Sequence, residues 1–215
     1  MSTRQFGAPV KRLVDDRLLT GKGRFVDDIP LAGALHAAFV RSPVARGRIR
    51  KLDVSAARAA PGVVGVWTAD DIGALDAPLP LLIPHPCMPN PKTQRPLARD
   101  DVFYVGQTVA MIVATDRYAA EDAAALVDLD VEQLPVEMDL EKAMAPGAPL
   151  VHEDVANNVA AHFVQRSGDA DAAFARADHV TKVRVRVERS TAAPLEGRAV
   201  AARWDPVTER LDVWD

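Results

Sequence analysis

Alternation of apolar and polar residues predicts most of the strands in this chain. The clearest run is HVTKVRVRVER over residues 179–189, where valines alternate with Lys182, Arg184 and Arg186. Such alternation is typical of an antiparallel strand with one face against water or a partner. Similar or continuously apolar runs predict further strands at residues 34–41, 49–54, 63–68, 104–114, 127–132, 158–165, 199–204 and 211–214. The last two are separated by DPVTER, whose turn chemistry predicts a hairpin.

Short helices are predicted between these strands. The best defined is the alanine-rich run AAEDAAALV, which carries acidic residues in its early turns, where the helix dipole favours them. It separates two predicted strands, so residues 104–132 form the clearest strand–helix–strand unit. The other helical segments are expected at residues 55–60, 69–73, 139–143 and 169–177. Strands and helices together predict an α+β fold.

Prolines divide the chain. Residues 76–96 contain seven prolines, which cannot sustain a helix or donate to a strand ladder, so a long extended loop is predicted. We call it the proline loop. Pro146, Gly147 and Pro149 mark a second break, and we expect two domains, residues 1–146 and residues 147–215.

Composition narrows the class of protein. The 215 residues are 48% hydrophobic and 26% charged, which is ordinary for a soluble globular protein, and the net charge of −4 argues against nucleic acid as a partner. Basic residues do cluster at residues 41–51, where a solvated edge or a subunit contact is expected. The single Cys87 excludes an internal disulfide and a thiolate-rich metal site. No apolar run has the length of a signal-peptide core or of a membrane span, so we expect no membrane span and a cytoplasmic location.

The sequence contains few candidate catalytic or metal-binding motifs. The five histidines form no HxxxH or HExxH motif, and no serine lies in GxSxG. We therefore expect no catalytic residue and no metal site in this chain. His85 lies two residues before Cys87 in the proline loop, a weak ligand pattern. Glu196 and Arg198 flank a glycine between two strands, either as a structural ion pair or loop anchor, or as the lining of a cavity.

Seven stretches of the sequence, in order along the chain, resemble the molybdopterin-binding large subunits of the xanthine dehydrogenase, aldehyde oxidase and carbon-monoxide dehydrogenase family. They are DDRLLTGKGRFVDD, LAGALHAAFVRSP, DVSAARAAPGVVGVWTADDI, RPLARDDVFYVGQTVAMIVATDRYAAEDAAALVDLDVEQLP, PGAPLVHEDVANNVA, GDADAAFARADHV and APLEGRAVAARWD. The resemblance implies an N-terminal arm and an α/β hammerhead domain in residues 1–146. It implies the opening, incomplete segment of the molybdopterin-binding domain in residues 147–215.

The chain also departs from the family pattern. Where the family often has VGEP, this chain has Val105, Gly106, Gln107 and Thr108. Where the family often has a histidine-bearing SPHAHA-like stretch, this chain has SPVAR, which leaves the substrate class open. The family's glutamine near molybdenum, its glycine-rich cofactor loop and its catalytic glutamate have no counterpart in these 215 residues.

The resemblance implies the N-terminal piece, or a split subunit, of a molybdenum hydroxylase that oxidises an aldehyde or N-heterocyclic carbon of a small-molecule substrate with oxygen from water. The complete assembly would carry a molybdopterin-type cofactor, with 2Fe–2S clusters and FAD on companion subunits and none held by this chain alone. Partners would be the remaining molybdopterin-binding polypeptide, an iron–sulfur subunit and a flavin subunit. This chain, inactive alone, would supply scaffold, subunit contacts and part of a substrate funnel, with Glu196, Arg198, His85 and Gln107 nearest to function. The alternatives are a non-catalytic docking or assembly module and an inactive truncated fragment. The final hairpin would then be the edge of a larger sheet.

Overall fold

The computed structural model describes residues 7–188 and 190–215. The strands in these residues are β1 His36–Arg41, β2 Gly47–Asp53, β3 Val63–Thr68, β4 Asp101–Val102, β5 Thr108–Ala114, β6 Asp128–Gln133, β7 Ala201–Asp205 and β8 Arg210–Trp214. The α-helices are α1 Asp15–Leu19, α2 Ser55–Arg58, α3 Arg117–Ala125, α4 Leu140–Ala143 and α5 Ala170–Arg176. No described helix has the length and apolar character needed to cross a membrane.

Contacts divide the chain into two compact units. The central unit is Gly33–Ala177, and the terminal unit joins residues 7–32 to Asp178–Asp215. The central unit contains two three-stranded antiparallel sheets, with strand orders β1-β5-β3 and β4-β2-β6. The predicted strand–helix–strand elements β5, α3 and β6 are all present, but the two strands belong to different sheets.

β5 lies at the centre of the central unit because its sequence, TVAMIVA, is apolar along almost its whole length. Val109 and Ile112 are fully buried and contribute to two neighbouring core clusters. Helix α3 packs on β1 and β5 through small residues, of which Ala120 and Ala123 are buried. The carboxylate of Asp116 caps this helix by accepting from the Ala119 N–H at 3.0 Å.

Two predicted strands are absent from the described residues. Residues 179–188 are not a strand, and the side of this run that carries Val183, Val185 and Val187 is exposed; Arg189 lies outside the described residues. Residues 158–165 are not a strand either, and Val159 and His162 instead hydrogen-bond to the proline loop. Alternation shows that a segment can line a sheet, but a strand forms only when a neighbour supplies the hydrogen-bonding ladder.

The hairpin at the end of the terminal unit is as predicted. β7 pairs with β8 in antiparallel register, with Arg203 opposite Asp212 and their side chains 2.8 Å apart. The Asp205 carboxylate accepts from the Val207 N–H at 2.9 Å and from the Thr208 hydroxyl at 2.7 Å. This is the turn chemistry expected of DPVTER.

Candidate functional site

Glu196 lies in a cleft of about 570 Å³ in the terminal unit. The cleft is lined by Arg24, Phe25, Val26, Ile29, Glu196, Val213, Trp214 and Asp215. One oxygen of the Glu196 carboxylate accepts a hydrogen bond from the Val26 N–H at 2.9 Å. Glu196 therefore anchors a loop and lines a cleft at once, whereas Arg198, two residues further, is exposed.

A single turn of 3₁₀-helix, Val26–Asp28, positions the backbone that Glu196 contacts. The Asp28 carboxylate accepts from the Phe25 N–H at 3.0 Å, and the Phe25 carbonyl accepts from the Asp28 N–H at 3.0 Å. The first N–H groups of a helical turn have no partner within the turn. Glu196 supplies that partner for Val26.

His85 lies in the proline loop and is exposed. Its Nδ1 accepts from the Cys87 N–H at 3.1 Å, so the uncharged ring carries its hydrogen on Nε2. The side chain borders a small apolar hollow of about 280 Å³, lined by Leu81, Pro84, His85, Pro86, Met88 and Pro91. Within the described residues, no group of three or more His, Cys, Asp or Glu side chains is arranged to hold a metal ion.

Gln107 is buried at the entry to β5. Its side-chain oxygen accepts from the Phe103 N–H at 2.7 Å, and its own N–H donates to the Tyr104 carbonyl at 3.2 Å. Its carbonyl accepts from the Ser42 N–H at 2.8 Å, which ties the end of β1 to this turn. The amide holds a tight turn in which Gly106 has φ +88°, a conformation that favours glycine.

The four residues are thus distributed over different parts of the chain. Glu196 and Arg198 belong to the terminal unit, and His85 and Gln107 to the central unit. Within the central unit, His85 lies on the proline loop, and Gln107 lies in the turn before β5.

The base of the proline loop is held by a buried carboxylate. The Asp76 side chain is 2% exposed, and one of its oxygens lies 2.9 Å from Arg99 Nε and 3.4 Å from Arg95 Nη1. Arg95 also donates to the Asp76 backbone carbonyl. Asp76 is the first residue of the proline loop, whereas Arg95 lies at its end and Arg99 just after it. These ion pairs therefore join the two ends of the loop.

The middle of the proline loop is held by the segment after residue 150. The Asn90 side-chain amide donates to the carbonyls of Asn157 at 3.1 Å and Val159 at 2.8 Å. The Cys87 carbonyl accepts from the His162 N–H at 2.7 Å. The loop has no regular structure, yet these contacts give it a defined position.

The sequence did not predict the buried cluster formed by Arg46 with Asp101, Phe103 and Glu153. The Arg46 side chain is 4% exposed, although the basic run around it was expected to be a solvated edge or a subunit contact. Its guanidinium lies 5.0 Å from the centre of the Phe103 ring, 3.7 Å from Asp101 and 3.5 Å from Glu153. These partners are distant in sequence, so no local pattern could have identified the cluster.

His152 packs against the same aromatic ring. The centres of the His152 and Phe103 rings are 4.3 Å apart. Burial, together with the positive charges of Lys92 and Arg46, lowers the pKa of His152, and the Asp154 carboxylate opposes this shift. Lys92 in turn forms an ion pair with Asp154, and this hydrogen bond holds the pKa of that carboxyl below its ordinary value.

Comparison with known proteins identifies both halves of the sequence. Residues 20–135 match the family model described as the aldehyde oxidase and xanthine dehydrogenase a/b hammerhead domain. Residues 151–215 match the molybdopterin cofactor-binding domain. These matches confirm the predicted fold of a hammerhead domain followed by the start of a molybdopterin-binding domain.

Individual relatives are similar over almost the whole chain. The nicotine 6-hydroxylase large subunit of Paenarthrobacter nicotinovorans is 40% identical over 209 residues, which is 97% of this chain and 25% of that protein. The carbon monoxide dehydrogenase large chain of Afipia carboxidovorans is 39% identical over 222 residues, 97% of this chain and 27% of that protein. The crystal structure of quinoline 2-oxidoreductase from Pseudomonas putida 86 is 33% identical with a TM-score of 0.79, covering 95% of this chain and 26% of that one. This chain spans about a quarter of the length of these relatives.

Unpartnered buried polar atoms in the described residues are one place where a cofactor could be held. The buried side-chain polar atoms without a hydrogen-bond partner in the described residues belong to Arg46, Asp76 and Asp101. None of these residues lines the cleft around Glu196, whose carboxylate already serves the Val26 N–H. The cleft around Glu196 is therefore not lined by any of these atoms.

Proposed function

Because this chain belongs to the aldehyde oxidase and xanthine dehydrogenase family, we propose that it is the N-terminal part of the large subunit of a molybdenum hydroxylase. The observation that carries this proposal is the order of the two matched domains along the chain. A hammerhead domain at residues 20–135 is followed by cofactor-binding sequence at residues 151–215. One relative, a nicotine 6-hydroxylase large subunit, aligns with 97% of this chain, which supports one subunit over two unrelated modules.

In the assembly, the role of this chain is to hold the proline loop and nearby backbone segments in defined positions. The proline loop is tied at its base by Asp76 and along its length by Asn90 and the Cys87 carbonyl. A loop held in this way can form a wall of a substrate funnel without regular secondary structure. His85 is exposed on this loop and borders its apolar hollow. Gln107 and Glu196 each hold backbone in place within their own unit.

The cofactors belong to the complete assembly. Molybdopterin carrying molybdenum would supply the redox chemistry, and 2Fe–2S clusters and FAD on companion subunits would remove the electrons. The remaining molybdopterin-binding polypeptide, an iron–sulfur subunit and a flavin subunit are the partners. We also propose a cytoplasmic location for the assembly.

The substrate is a small molecule hydroxylated at carbon with oxygen from water. Two relatives are named as a nicotine 6-hydroxylase and a quinoline 2-oxidoreductase. Nicotine and quinoline both contain an N-heterocyclic ring. An N-heterocyclic carbon is therefore favoured over an aldehyde carbon.

Native mass spectrometry with molybdenum and iron analysis tests this proposal on protein purified gently from its own source. The expected result is a complex that contains this sequence together with molybdenum and iron. A metal-free species without companion subunits would overturn the proposal and favour a docking module or an inactive fragment.

A further inference from the structure

Residues 151–162, which we call the strap, are joined to the proline loop by hydrogen bonds. The strap contains no helix and no strand. The Asn90 side-chain amide donates to the Val159 carbonyl at 2.8 Å, and the Cys87 carbonyl accepts from the His162 N–H at 2.7 Å. The strap and the loop belong to the same compact unit, so the position of the loop depends on the strap.

Ion pairs hold the first half of the strap. Glu153 lies 3.5 Å from Arg46 and 3.1 Å from Arg48. Asp154 pairs with Lys92 of the proline loop. The Arg46 side chain is only 4% exposed, so water and salt screen its charge less than they screen a surface charge. This end of the strap is therefore sensitive to any further charge placed beside it.

His152 is the titratable group at this end of the strap. Its ring packs on Phe103, with the ring centres 4.3 Å apart, and the Arg46 guanidinium lies 5.0 Å from the centre of the same Phe103 ring. The charged groups around it come from β2 and the turn before it, from the proline loop, from β4 and from the strap itself. They are three cations and three carboxylates, namely Arg46, Arg48, Lys92, Asp101, Glu153 and Asp154. These charges balance only while the His152 ring is neutral.

We infer that the strap is a pH-sensitive latch on the proline loop: protonation of His152 releases residues 151–162 from Arg46 and Phe103 and leaves the loop free to move. A charged ring at this position loses hydration and gains two positive neighbours, Lys92 and Arg46. Burial and these two cations lower the pKa of His152, whereas Asp154 opposes the shift. Release returns the ring to water, where it binds a proton with its ordinary affinity. Docking of the strap is therefore strongest above pH 6.5 and weakens as the pH falls toward the lowered pKa.

Release of the strap would be a local event. Within the described chain, neither apolar core cluster of the central unit contains a residue of the strap, so its departure removes no core packing. The strap begins the sequence matched to the cofactor-binding domain, whereas the proline loop lies within the hammerhead match. The latch therefore joins the two matched domains. The inference does not depend on the proposed function, and its test requires no cofactor.

Amide hydrogen exchange of the full chain tests the inference, with rates corrected for the intrinsic effect of pH on exchange. Between about pH 7.5 and about pH 5.5, the protection of the His162 amide should fall at least about threefold. Low concentrations of urea should hardly change this protection, because local release exposes little surface, whereas the amides of β5 should respond steeply. An equal response to urea would mean that the strap opens only when the whole unit unfolds, and it would overturn the inference.

Substitutions identify the group that titrates. His152→Phe keeps an aromatic ring that binds no proton, and it should abolish the effect of pH on the His162 amide. His152→Gln, which is neutral and polar, should do the same. His179→Phe is the matched control at an exposed histidine of the terminal unit and should retain the full effect. An unchanged effect of pH in both His152 variants would assign it to another group and overturn the inference.

The single cysteine of the chain reports on the proline loop itself. Cys87 is half-buried, and its carbonyl is bound by the strap, so a disulfide reagent should label the thiol faster after release. The labelling rate is divided by that of His152→Phe at the same pH, which cancels the direct effect of pH on thiol and reagent. This ratio should rise at least about threefold between about pH 7.5 and about pH 5.5. A constant ratio would show that the loop stays in place and would overturn the inference.

Discussion

The carboxylate of Glu196 accepts a hydrogen bond from the backbone N–H of Val26 at 2.9 Å, joining positions 170 residues apart. This contact links the early arm of the chain to the sequence just before the final hairpin within one compact unit. It explains how a glutamate with no catalytic neighbours can still matter to the protein.

Replacement of Glu196 by alanine should weaken the terminal unit. Loss of the acceptor should lower the free energy of unfolding by about 1 kcal/mol, and Glu196→Gln, which keeps an acceptor oxygen, should cost less. Urea unfolding of the full chain measures both. Arg198→Ala, at an exposed position, is the control and should have almost no effect. In the assembly, a stable and fully assembled Glu196→Ala variant with only turnover reduced would contradict this structural role.

Replacement of Asp76 should loosen the proline loop. Asp76→Asn leaves a buried site facing two arginines without its negative charge, and we expect a loss of about 3 kcal/mol. Asp70→Asn is the matched control, since Asp70 also pairs with Arg99 but its side chain is 83% exposed. That change should cost less than about 0.5 kcal/mol. Comparable losses in chemical denaturation would show that burial of Asp76 is not what secures the loop.

Addition of a methyl group at Gly47 should strain the β2–β6 pairing. A Cβ at this position would lie 2.5 Å from a methyl carbon of Val131 and 2.9 Å from the Glu132 carbonyl oxygen. Gly47→Ala should therefore lower stability by about 2 kcal/mol. Gly197→Ala, where a Cβ would meet no atom within 4 Å, should be neutral. A lower melting temperature for the Gly197 variant than for the Gly47 variant would reverse this expectation.

His152 should make stability depend on pH near neutrality. Its pKa in the folded chain is lowered from 6.5 by burial against Phe103 and by Lys92 and Arg46. The unfolded chain therefore binds the proton more tightly, and stability rises with pH in this range. The contribution is present above pH 6.5 and is lost as the pH falls toward the lowered pKa of the folded state. Between about pH 7 and pH 5, His152→Phe should reduce the dependence of unfolding free energy on pH.

An NMR titration checks the cause of that pH dependence directly. Phe103→Ala removes the ring that buries His152 and should raise the His152 pKa toward its ordinary value. A His152 pKa at or above 6.5 in the unsubstituted folded chain would contradict burial as the dominant cause of the pKa shift.

The turn between the last two strands was predicted because its causes lie within a few residues: Asp205 accepts from the Val207 N–H, two residues further on. The caps of α3 and α5 are equally local, since Asp116 and Asp169 accept from the N–H three residues further on. The proline loop, too, follows from the missing N–H groups and restricted φ of its own residues.

The buried charges were not predicted. Arg46 lies in a basic run that predicted a solvated edge or a subunit contact, yet Asp101, Phe103 and Glu153 enclose its side chain.

The environment of Gln107, which is buried but uncharged, was not predicted either. Gln107 was marked because it departs from a family motif, whereas its position follows from hydrogen bonds to Phe103 and Ser42. Such environments arise only when distant segments meet.

The sequence by itself determined the alternation of short helices and strands, the caps and turns between them, and the family to which the chain belongs, since each depends on residue type and spacing. Tertiary structure decided which strands pair, which arginine is buried and which alternating run does not form a strand. β5 and β6 flank one helix but enter different sheets, and residues 179–188 alternate valines with polar residues without forming a strand. A strand is a relation between two segments, so its formation requires a neighbour that no single stretch of sequence can supply.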